Sequence, residues 1–78
     1  MVNKSQIMKH AQVVDINGDH VGIVDHFEGD EDIKLTKSDP NADGHHHIIA
    51  FGWVSKVSEN KVILGLTKGE VQRRWESR

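Results

Sequence analysis

The stretch Val13-Val14-Asp15-Ile16-Asn17-Gly18-Asp19-His20-Val21-Gly22-Ile23-Val24 constrains this chain more than any other. Two runs rich in β-branched residues flank Asn17-Gly18, and both of those residues tolerate positive φ. A two-residue type I′ turn is therefore expected at 17–18, because its twist matches that of paired strands. Val14 and Val21 are expected on the core side of the resulting hairpin. Gly22, inside the returning strand, marks a bulge or a close approach by a neighbouring strand. A chain nucleated in this way is a β-domain.

The rest of the sequence extends the pattern. Met8 to Ile16 reads as the first strand and His20 to Phe27 as the second. Asp32 to Lys37 alternates, with Ile33 and Leu35 inward and Lys34 and Thr36 outward, as in a half-exposed strand. Pro40, Asn41 and Gly44 break the segment from Ser38 to Gly44 into a loop. His46 to Phe51 is a fourth strand, Gly52 permits a kink, and Trp53 to Val57 continues. After a turn at Ser58-Glu59-Asn60, Val62, Leu64 and Leu66 define an inward face. The tail changes period: Thr67 and Glu70 form a capping box, and Val71 and Trp75 share a helical face. A helix from Thr67 to Ser77 is expected, with Trp75 buried against the sheet or across an open barrel end. Together these elements predict a mostly β fold, a small barrel of about five to six antiparallel strands with a short C-terminal α-helix. Residues 1–7 read as a flexible start with Ile7 as its only anchor, and 8–78 as one domain.

Composition excludes several classes. The 78 residues contain no cysteine, so neither a disulfide framework nor a thiolate zinc site can form. The longest apolar run, Ile48 to Val54, is far short of the roughly 20 residues a membrane span needs. The first residues lack the apolar segment of a signal peptide, which makes the cytoplasm the expected location. The net charge of −2 is uneven: residues 1–44 carry nine acids against four lysines, whereas 45–78 carry three acids against six bases. Such asymmetry marks either an electrostatic surface or ordinary solvated charge.

Candidate chemistry is sparse. Asp39, Asn41, Asp43 and Gly44 match the opening positions of a calcium loop, but its twelfth position falls on Ala50, where a bidentate Glu is needed. A polar turn is the better reading. His45-His46-His47 is the one metal-ligand cluster. On a strand His45 and His47 share a face and His46 takes the other, so at most two can chelate together. His10, His20 or His26, with Asp25 or Asp43, would have to complete a site. No cofactor is expected. Arg73, Arg74 and Arg78, beside Trp75, form a basic end that suits an interaction surface. Cations there also stabilise a helix C-terminus, and one arginine-rich turn in an acidic chain is a weak nucleic-acid footprint. No nucleophile motif, phosphate loop or buried carboxylate pair points to catalysis, so no enzyme is expected.

The pattern Val14-Asp15-x-x-Gly18-x-x-Val21-Gly22-x-Val24-Asp25, then Ile33-Lys34-Leu35, His47-x-Ile49-x-Phe51-x-Trp53-Val54 and Val62-Ile63-Leu64, resembles the PRC-barrel superfamily. It resembles more closely a set of small uncharacterised bacterial proteins in that group. The resemblance spans about residues 8 to 76 and rests on turn glycines and barrel apolars. It departs at Ala50, where relatives often carry Pro. It implies a β-barrel of the kind found in the photosynthetic reaction-centre H subunit and a ribosome-maturation protein, where the barrel serves assembly. The expected function is that of a non-catalytic module for protein-protein interaction, with a protein partner or a further copy of itself. The alternatives are a metal- or ligand-binding protein using His45, His46 and His47, and an RNA-associated assembly factor using the arginine end.

Overall fold

The computed structural model describes residues 4–39, 42 and 44–77. Its strands are β1 (Gln12–Val14), β2 (His20–Glu28), β3 (Asp32–Leu35), β4 (His47–Ala50), β5 (Val54–Ser58), β6 (Lys61–Leu64) and β7 (Glu76–Ser77). The helix α1 (Lys68–Arg74) lies between β6 and β7. The strands form one sheet in the order β5-β6-β1-β2-β3-β4-β7. The mostly β class with a short C-terminal helix is as expected, but three features differ, the first being the count, seven strands rather than about five to six. The sheet is not closed into a barrel: its ends are β5 and β7, and the two-residue β7 pairs with β4 instead. Nor is it wholly antiparallel, because β6 returns after the β5–β6 hairpin to lie parallel to β1, with Val13 opposite Val62.

The first hairpin forms where expected, but with a different turn. Gly18 alone takes a left-handed φ, at 88°, and Asn17 does not. The Gly18 N–H donates to the Asp15 carbonyl (3.0 Å) and the Asp15 N–H to the Asp19 carbonyl (2.8 Å). That is a three-residue loop ending in a left-handed glycine rather than a two-residue type I′ turn. The Asp15 carboxylate explains the choice, since Oδ1 accepts from the N–H groups of Asn17 and Asp19, both at 2.8 Å. The paired positive φ values of a type I′ turn appear instead at Glu59 (50°) and Asn60 (62°), which join β5 to β6.

Register sorts the side chains into two faces. Val13, Val62 and Val57 stand in one cross-sheet row, and Ile33 and Ile49 in another. These residues, with Val21, Val24, Leu35, Leu64 and Val71, form or border the core. Val14 and Val21 are both buried, but only Val21 lies on the core side as expected; Val14, next to core-facing Val13, stands on the opposite face and outside the main cluster. Ile7 joins that cluster, and Lys4–Gln6 forms a 3-10 turn just before it. Leu35 packs over Gly22: a Cβ there would lie 2.9 Å from Leu35 Cδ1, so the glycine permits a close approach between β2 and β3.

The helix begins at the expected cap. Thr67 and Glu70 exchange capping-box hydrogen bonds, and Val71 is fully buried. It ends earlier than expected, at Arg74, and the extended residues that follow allow Glu76 and Ser77 to pair with Ile48 and His47. Trp75 is thus the C-cap rather than a helical residue, and it is half-buried rather than buried.

Candidate functional site

The three consecutive histidines do not converge. His47, on β4, is buried. Its Nε2–H donates to the Ala42 carbonyl (3.0 Å), and the Ser77 hydroxyl donates to its Nδ1 (2.9 Å). Its ring also stacks on Trp75. His46, half-buried, donates from Nδ1 to the Leu35 carbonyl (3.0 Å) and lies 3.9 Å from Asp25. His45 is exposed, before the strand begins. The strand starts at His47, so the alternation expected from His45 onward does not operate. Among the described residues no three His, Asp or Glu side chains are placed to share a metal ion.

A histidine that the sequence offered only as a spare ligand occupies a more organised place. Gln12 Nε2 donates to His20 Nδ1 (3.0 Å), which leaves the His20 hydrogen on Nε2 for the buried carboxylate of Asp39. This relay ties the loop after β3 to the start of β2. Asp39, the first residue of the calcium-like segment, is therefore engaged with His20, while Asn41 and Asp43 lie outside the described residues. Both ring nitrogens of His20, like those of His47, are bonded. Neither ring can act as a base or a ligand without first giving up a contact.

Among the described residues Asp15 is the most deeply buried acid, at 1% exposure. Besides its two loop donors, Oδ2 accepts from the Lys68 N–H (2.8 Å), which joins the first hairpin to the start of α1. Burial pushes its pKa up, but the backbone donors from Asp19, Lys68, Asn17 and Gly18 outweigh that and hold it below its ordinary 3.8. Glu70 is also held low, by its backbone and side-chain bonds to Thr67 and then by Arg74 and Arg73 nearby. Arg73 and Arg74 are exposed in the last helical turn, and Arg78 lies outside the described residues.

The remaining candidate surface is the β5 end of the sheet. On the face opposite the core, Lys56, Ile63, Val14 and His20 form one cross-strand row, and Ser58, Lys61, Gln12 and Ile23 the next. Lys56 and Lys61 are exposed, and Ile63 and Ile23 half-buried. On the core face, Trp53, Val54 and Val57 pack against the cluster yet stay partly exposed where the sheet runs out. A bulge at Ser55 lets Val54 and Val57, three apart, share that face. Sequence reasoning placed these strands but not their order in the sheet. The broken alternation at Ser55, with Lys56 amid valines, was the only local sign of an edge.

No helix among the described residues is long and apolar enough to cross a membrane. A comparison with curated proteins found no match. A family model does match, over residues 7–72, from the anchor Ile7 through the first hairpin to the helix that buries Val71. The chain belongs to that family, described as an uncharacterized protein conserved in bacteria (DUF2171).

Proposed function

We propose that this domain is a non-catalytic interaction module whose partner is a protein. The observation that carries the reading is the contrast between its polar groups and its sheet end. His20, His47 and Asp15 are committed to internal hydrogen bonds that pin loops and termini. At the other extreme, β5 has a single strand neighbour among the described residues, and half-exposed Val54 and Val57 lie along it. Polar groups spent on rigidity and apolar surface left at a margin suit recognition better than turnover. The resemblance to PRC barrels, which serve assembly, points the same way.

The test is capture of the tagged full chain from a bacterial host, followed by reconstitution from purified components. The expected result is a saturable complex with one protein at fixed stoichiometry. A complex that dissolves with ribonuclease, or one that needs metal and is lost with a chelator, would replace this reading with the RNA or the metal alternative.

A further inference from the structure

We infer that the free edge of β5 is a β-augmentation site for an extended segment of a partner protein in which acidic and apolar residues alternate. The inference rests on the module reading above and adds where the partner binds and what chemistry it carries.

By the alternation of antiparallel ladders, every second residue of β5 turns its N–H and C=O away from β6. Among the described residues no strand pairs with that side. An added strand would gain those main-chain bonds, and on either side of the Ser55 bulge its side chains would alternate in step with β5. On the core face its residues would meet Val54 and Val57, which are half-exposed and would be covered by apolar groups. On the opposite face they would meet Lys56, with Lys61 one row further on, both exposed. The one acid of this hairpin, Glu59, sits in the turn rather than in either strand. The charge presented along the strands is therefore positive, and carboxylates complement it.

The same lysine argues against a second copy as the occupant. An antiparallel pair of β5 strands related by a two-fold axis at their middle residue sets Lys56 opposite Lys56. Like charges directly opposite each other are destabilising in a sheet. A lysine and a bulge on an edge are the usual devices against indiscriminate pairing. Here they leave open a strand that brings its own acids, so repulsion of the wrong strand and attraction of the right one come from one residue.

The experiment uses the full chain, isotope-labelled, titrated with an acetylated, amidated peptide of alternating Glu and Val, and in parallel with its Lys-Val counterpart. The expected result is amide shifts centred on residues 54–58 with the Glu-Val peptide and weaker binding of the Lys-Val peptide. Lys56→Glu, an exposed substitution expected to leave the melting temperature unchanged, should weaken the Glu-Val peptide about fivefold and strengthen the Lys-Val peptide. Equal affinity for the two peptides, indifference to Lys56→Glu, or shifts confined to residues outside 54–58 would overturn the site. A protein partner captured equally by the wild type and by Lys56→Glu would also overturn it, while leaving the module reading intact.

Discussion

The indole of Trp75 lies flat on the imidazole of His47, with ring centroids 3.8 Å apart and planes 6° from parallel. Two residues on, Ser77 bonds the same imidazole, so a single buried ring on β4 holds the segment after the helix at two points. The stack explains why an exposed two-residue strand can close this end of the sheet.

Trp75→Ala should accordingly lower stability by about 2–3 kcal/mol, somewhat less than a fully buried tryptophan would cost. Urea unfolding of Trp75→Ala, His47→Ala and the double variant measures it. The cycle should return a coupling of about 1 kcal/mol for the stacked pair. Independent effects would mean that the rings merely lie near one another.

Asp15 sets an acid limit on stability. Its pKa is lowered in the folded protein, so its contribution is fully present above the ordinary value of 3.8 and is lost as pH falls through the lowered folded value. In Asp15→Asn the amide can accept for part of the donor set, but it turns N–H groups toward the remainder. The variant should be less stable than wild type at pH 7, with the difference shrinking below about pH 3.8. Chemical unfolding across that range reads the gap directly; a gap that stayed constant to the lowest pH would dissociate Asp15 from the acid response.

How far the sequence reached depended on whether the governing contact was local. The Thr67–Glu70 box needs only residues three apart, and it formed as spelled. The inward alternation of Ile33 and Leu35 also held, because it depends only on strand periodicity. The link from Asp15 to Lys68 spans 53 positions, and the relay from His20 to Asp39 spans 19, so neither leaves a local trace. The parallel pairing of β6 with β1 is similarly invisible, since a run of apolar residues does not name its neighbour. The histidine triplet misled for another reason: alternation begins only where a strand begins, and β4 starts at the third imidazole.

Gly22→Ala should destabilise the domain, although its φ suits alanine. The new Cβ would press on Leu35, which is itself buried, and overpacking of this kind costs about 1–3 kcal/mol. Restricting the unfolded chain returns about 0.4–1 kcal/mol, so a net loss is expected. The loss should shrink when Leu35 is truncated to alanine in the same chain, and thermal melts of the four proteins test this. An unchanged cost in the truncated background would place the strain elsewhere.

Zinc should leave the melting temperature of protein purified without a metal column unchanged. His47 offers both nitrogens to protein partners, and His45 and His46 point to separate surroundings. A native-state ligand at a hundred times its dissociation constant would add about 2.7 kcal/mol, a rise easily seen. A chelator-reversible increase would favour the metal-binding alternative.

The two turns make opposite demands, and substitution should separate them. Glu59 and Asn60 hold φ values of 50° and 62°, in a region that costs an ordinary L-residue about 1–2 kcal/mol. Replacing the pair by Asn-Gly, the preferred type I′ sequence, should stabilise the protein by about 1 kcal/mol. At the first hairpin Asn17 has no left-handed φ and its side chain is exposed, so Asn17→Ala should change stability by less than about 0.5 kcal/mol. Gly18→Ala, at a φ of 88°, should cost about 1–2 kcal/mol. Urea midpoints of the three variants decide the assignment. A large loss at Asn17, with no gain at 59–60, would restore the type I′ turn to the first hairpin and remove it from the second.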